Sequence, residues 1–108
     1  MERFISEENV HKALEYLRKS AVEVGAARER YVKSTQWLKH VEALEFHRAE
    51  GTMDARKAAA RVSQNYQDGI LEEASAAGNY EKLKALREAA VMTCDLYRSQ
   101  EANLRGKL

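Results

Sequence analysis

The sequence predicts an all-α fold: a long antiparallel helical hairpin with a short helix at its bend, coiled-coil-like and oligomeric. Three observations predict it. The 108 residues contain no proline; a proline costs ~3 kcal/mol inside a helix, so its absence permits long uninterrupted ones. Apolar residues recur at steps of three and four over most of the chain, which is the spacing of a helical stripe. Hydrophobic residues reach 44%, yet 17 are alanine against 2 Phe and 1 Trp. That composition suits thin helix-on-helix packing and argues against a thick core around a deep pocket. At this length one domain is expected.

The first helix is expected over about 7–50. Ser6 precedes Glu7 and Glu8, an N-cap followed by acids that complement a helix N-terminus. Val10, Leu14, Leu17, Ala21 and Val24 step by four and three, and Leu38, Val41 and Leu44 by threes. Gly25 costs ~1 kcal/mol relative to Ala, but the pattern resumes beyond it. Such a helix would be roughly 65 Å long, so it must be a rod. Continuing the heptad from Val24 meets Arg28, Tyr31, Thr35, Leu38 and Glu42. A two-stranded seam tolerates few polar residues, so the packed face is expected to drift around the helix here.

Gly51-Thr52 is the clearest break. Glycine suits the position past a helix end, and Thr52 can cap a short helix over about 53–62. Ser63-Gln64-Asn65 offers another cap, opening a long helix over about 65–105 with Ile70, Ala74, Leu83, Leu86, Ala90 and Tyr97 inward. Gly78-Asn79 could end one helix and begin another; the pattern on both sides favours continuity. The tail Gly106-Lys107-Leu108 should fray.

Two helices packed only on each other bury too little apolar surface for independent stability at this length. Val22, Val32, Trp37, Phe46, Val91 and Leu96 lie off the main stripe and would need covering. The chain should therefore self-associate or dock onto a larger partner. Leu14, Leu17, Val24, Trp37, Leu38, Val41, Leu83, Leu86 and Tyr97 are the expected interface residues.

No constellation for catalysis is present. The glycines at 25, 51, 69, 78 and 106 are scattered and form no phosphate loop. No serine sits in a nucleophile elbow, and no His-Glu-x-x-His run exists. His40 and His47 are seven residues apart, roughly 10 Å along a helix, too far for one metal with ~2 Å bonds. Glu42, Glu45 and Glu50 read as a solvated face, and Tyr66, Tyr80 and Tyr97 as core or interface residues. Cys94 is the only cysteine; it reads as a small core-facing residue in a reducing compartment. No enzyme activity, metal, cofactor or small-molecule substrate is expected. No apolar run approaches the ~20 residues of a membrane span, and Met1 to Asn9 lacks a signal-peptide layout. A cytoplasmic location follows.

Charge is balanced at +1, with 18 basic and 17 acidic residues. Any nucleic-acid contact must come from local patches. Arg28, Arg30, Lys33 and Lys39 form a basic middle of the first helix, with Glu29 the one acid among them. Arg56, Lys57 and Arg61 make the bend basic, opposed by Asp54. Arg98, Arg105 and Lys107 gather near the C-terminus, where an antiparallel hairpin would set them beside Lys12, Arg18 and Lys19. Trp37, flanked by Lys33, Lys39 and His40, has surroundings suited to base stacking, although burial in an interface is the commoner use of such a residue.

The closing stretch Asp95-Leu96-Tyr97-Arg98-Ser99-Gln100-Glu101-Ala102-Asn103-Leu104-Arg105-Gly106 resembles the C-terminus of a family of small phage and prophage helical-hairpin proteins. Members end in an aromatic-Arg-Ser-x-x-Ala-Asn-x-Arg pattern, and Tyr97 stands here where many carry Trp. The likeness extends loosely over most of the chain. It implies a place among phage recombination and replication functions. The layout is also similar to the recombination mediator UvsY of T-even phages, whose helical oligomer binds single-stranded DNA. Both resemblances imply a non-enzymatic accessory protein that oligomerises and contacts single-stranded DNA or a protein bound to it, with Arg98 and Arg105 the best single contacts. The alternative is an adaptor or inhibitor that binds a host or phage enzyme and no nucleic acid.

Overall fold

The structure is a computed structural model that describes residues 4–106. It is an all-α helical hairpin. α1 spans Glu7–Arg48, α2 spans Met53–Val62 and α3 spans Gln64–Gly106. α1 stops two residues before the expected end. α3 crosses Gly78 without a break, as the pattern on either side of it suggested. Gly106 is still helical, and Lys107 and Leu108 lie outside the described residues.

The start of each helix and the turn out of α1 are made by the residue types that do this best. The Ser6 hydroxyl accepts from the Asn9 N–H at 3.1 Å, and the Asn9 side-chain oxygen accepts the Ser6 N–H at 3.0 Å. This is a capping box with Asn in place of Glu. Gly51 has φ +111°, a backbone that L side chains rarely adopt, and so allows the chain to turn out of α1. Thr52 then caps α2 by accepting from the Ala55 N–H at 3.2 Å. Ser63 separates α2 from α3, and its hydroxyl accepts the Tyr66 N–H at 3.2 Å. The expected caps at Ser6, Thr52 and Ser63 are all made.

The chain forms two compact units. Met1–Gly25 packs with Glu81–Leu108, and Ala26–Tyr80 forms the other. In the first, the Gln100 amide grips the Ile5 backbone at both ends, accepting its N–H at 3.0 Å and donating to its carbonyl at 2.7 Å. Arg87 donates to the Leu17 carbonyl at 2.7 Å and to the Ser20 hydroxyl at 2.6 Å. In the second, Arg30 holds Glu72, Leu38 meets Gly69, and Asn65 donates to Glu45. In both units residue numbers rise on α1 as they fall on α3, so the two helices run antiparallel.

Buried residues recur at intervals of seven. On α1 they are Ala13, Ser20, Ala27, Ser34 and Val41; on α3 they are Gly69, Ala76, Leu83 and Ala90. Half-buried residues recur likewise at Val10, Leu17, Val24, Tyr31, Leu38 and Glu45, and at Tyr66, Glu73, Tyr80, Arg87, Cys94 and Glu101. Together they make a heptad seam within each unit. All the buried positions just named except Val41 and Leu83 hold Gly, Ala or Ser, which lets backbones approach closely. A Cβ on Gly69 would lie 2.8 Å from the Leu38 Cδ1. The serines belong there because they are self-satisfied. Ser20 donates to the Tyr16 carbonyl at 2.6 Å and Ser34 to the Tyr31 carbonyl at 2.7 Å, so each hydroxyl proton is satisfied within its own helix, and the Ser20 oxygen also accepts from Arg87 across the seam.

This corrects the expected packed face. The seam does not drift. It uses 13, 20, 27, 34 and 41 where the expected stripe begins at Leu14 and Ala21 and its heptad runs on into the polar Arg28, Thr35 and Glu42. Leu14 is 52% exposed and Ala21 is also exposed. On α3, Ile70, Ala74 and Leu86 were expected inward and are exposed, whereas Leu83 and Ala90 are buried. Ranking residues by hydrophobicity discounts Ala and Ser, and those are what close antiparallel packing selects.

Candidate nucleic-acid interface

The bend is where the structure gathers cations from separate stretches of sequence. The Gly51 turn and the Thr52 cap fix α2, and Arg56 seals the turn. Its guanidinium lies 4.7 Å from the Phe46 ring centroid and its Nε donates to the Ala49 carbonyl at 3.0 Å. Phe46 is thereby half-covered within its own unit, unlike Val22, Val32, Trp37, Val91 and Leu96, which are exposed as expected. Against this fixed corner, Lys39 from α1 and Lys57 from α2 line one groove of about 360 Å³, together with Glu42, Phe46 and Ala60. Both lysines are exposed, and neither has a carboxylate partner among the described residues. Arg61 stands 4.0 Å from Glu42, too long for a strong ion pair. The corner thus carries Lys39, Arg56, Lys57 and Arg61 against Glu42, Glu50 and Asp54.

Two of the four cations in the middle of α1, Arg30 and Lys33, are paired with carboxylates instead. Arg30 makes a two-pronged pair with Glu72 at 2.9 and 3.1 Å and reaches the Ser75 hydroxyl at 3.3 Å. The side-chain hydrogen bond from Arg30 holds the Glu72 carboxyl below its ordinary 4.5, and Glu72 raises the Arg30 guanidinium in turn. Lys33 pairs with Glu29 at 2.7 Å, which lowers Glu29 by the same cause. Arg28 is exposed on the same helix. Sequence reasoning saw Glu29 but not Glu72, which is 42 residues away from Arg30.

The C-terminal cations are also dispersed. Arg98 pairs with Asp95 at 2.6 Å, Lys12 with Glu8 and Lys19 with Glu15. Arg105 is exposed near the end of α3. Exposed pairs of this kind contribute little and open easily, so they weaken a phosphate site without abolishing it.

The expected interface residues divide. Val41 and Leu83 are buried, and Leu17, Val24, Leu38 and Tyr97 half-buried, in the chain's own seam. Leu14, Trp37 and Leu86 remain on the surface at 52%, 59% and 45% exposure. Trp37 lies beside His40, ring centroids 5.1 Å apart. Its indole borders a groove of about 950 Å³ that also touches Arg30, Lys33 and Glu72.

Among the described residues no group of three or more His, Cys, Asp or Glu is placed to hold a metal ion, and no helix is long and apolar enough to cross a membrane. Comparisons with protein-family models, curated proteins and solved structures find no match to this chain.

Proposed function

We propose that the chain is a non-enzymatic accessory protein of phage DNA recombination or replication, acting in the host cytoplasm. It is a helical scaffold that holds single-stranded DNA, or a protein already on it, against the cationic corner of its bend. The observation that supports this reading is the meeting of Lys39 and Lys57 across one groove, with Arg56 and Arg61 on the same short helix as Lys57. Such a corner touches phosphates and displaces their counterions, with no base readout. One corner binds weakly. Several corners on one assembly, along one strand, multiply the affinity through effective concentration.

A titration with labelled oligo(dT) tests it. With about three phosphates neutralised per chain, affinity should fall about 20-fold from 50 to 200 mM salt. The double variant Lys39→Glu/Lys57→Glu should lose binding while its helical circular dichroism is unchanged. Absence of binding at low salt by the folded protein removes the reading.

A second reading is an adaptor or inhibitor of a host or phage enzyme. The pairing of Arg30, Lys33 and Arg98 with carboxylates favours it, because it leaves apolar side chains such as Trp37 as the more available surface. Its signature is a complex that survives nuclease treatment and the change Arg98→Ala.

A further inference from the structure

The exposed side chains around Trp37 are ordered. Ala26, Arg30, Lys33, Trp37, His40 and Leu44 follow one another on α1 at steps of four and three. The buried seam already has a seven-residue repeat, so any other stripe with that repeat also stays on one side of the helix. The first five of these residues border the 950 Å³ groove, and Leu44 continues it next to Trp37 in a neighbouring one. This is a second heptad stripe, open to solvent.

We infer that this stripe docks against the same stripe of a second copy, antiparallel, about a two-fold axis near residue 35. The inference deepens the scaffold reading, and rests on it only for its role. Surface area calls for an occupant. The chain exposes 8123 Å², whereas a compact monomer of 12.3 kDa exposes about 6100 Å². The surplus of roughly 2000 Å² is spread over the whole chain and leaves room for the ~800 Å² that each partner buries in a standard interface; on this stripe Trp37 is 59% and Leu44 39% exposed.

Charge selects the occupant. The groove carries Arg30 and Lys33 against Glu72 and Glu29, already matched in pairs. A polyanion would meet both carboxylates, and a strongly basic partner both cations. A surface with equal numbers of each sign is complementary to itself. Charge also selects the direction. A parallel match would set Lys33 on Lys33 and Arg30 on Arg30. The antiparallel match sets Lys33 of one copy on the indole of Trp37 in the other, a cation–π contact, and Ala26 against Leu44, small against large.

Trp37 is the only tryptophan, so its emission reports on the contact directly. Light scattering should give twice the chain mass, and dilution should move the emission to the red as the mass halves. Trp37→Glu should weaken association about 100-fold, as loss of a central aromatic anchor does, with helicity kept because the ring is exposed. Lys33→Glu should weaken it less, and Met92→Glu in the other unit should leave it unchanged. In a Cys94→Ser background, mixing Lys33→Cys with Trp37→Cys should yield the mixed disulfide in preference to either symmetric one. A wild type that stays monomeric, a Trp37→Glu protein that stays dimeric, or preferential symmetric cross-links overturns the inference. So does an emission shift that appears only when oligo(dT) is added, which would assign the face to nucleic acid. Apart from the oligo(dT) result, none of these outcomes bears on the bend cations, whose failure shows in the salt titration instead.

Discussion

The two units hold the same pair of helices together by opposite means. In the unit that joins residues 1–25 to 81–108, the link is Arg87, half-buried and donating to the uncharged Leu17 carbonyl and Ser20 hydroxyl. Ser20 is fully buried. In the unit of residues 26–80, the link is the Arg30–Glu72 ion pair, whose side chains are 44% and 52% exposed. Both set the register of antiparallel helices by an arginine reaching across. The first depends on hydrogen bonds that water cannot replace. The second depends on charge that water and salt screen. A cross-helix contact at similar length can therefore be a permanent fastening or a conditional one, and burial decides which.

The largest test of this contrast concerns the seam that buries Ser20. Leu83→Ala removes the largest fully packed side chain of that unit and should cost about 3 kcal/mol in chemical denaturation. Leu86→Asp, one turn away and exposed, should be tolerated. Equal losses would mean the seam is assigned to the wrong residues. Next in size, Arg87→Ala strips a donor from the buried Ser20 hydroxyl and the half-buried Leu17 carbonyl and should cost about 2 kcal/mol, with no dependence on salt. A strong salt dependence would make the two links alike. The smallest effect belongs to the exposed pair. Glu72 titrates below 4.5 because Arg30 donates to it, so its folded value is depressed relative to the unfolded one. Its contribution is present above the ordinary carboxylate value and is lost as pH falls through the lowered one. Glu72→Gln should remove that acid-range loss, and added salt should shrink it. An acid profile unchanged by Glu72→Gln would show that the pair sets no stability at all.

The hairpin was legible in the sequence because its punctuation is chemical. Gly51 alone fits the backbone of the turn, and Ser6, Thr52 and Ser63 are strong caps. The seam was legible only in period. Leu14 and Ala21 keep the right spacing one residue away from Ala13 and Ser20, and apolarity prefers Leu14. Choosing between them requires knowing how close the second helix comes, which only pairing with α3 determines. The candidate site was half legible for a related reason. The bend cations lie near one another in sequence, except Lys39, which the turn brings to Lys57. Local charge counting registered Glu29 but had no means to see that Glu72 cancels Arg30 across the hairpin.

The small-residue seam has a practical consequence for anyone mapping this molecule. An alanine scan would pass over most of the contact surface in silence, because Ala13, Ala27, Ala76 and Ala90 are alanine already and Ser20 and Ser34 differ from it by one oxygen atom. The informative experiment runs the other way. Bulk must be added, one position at a time, and the sites where a larger residue forces the helices apart will trace the line along which they touch.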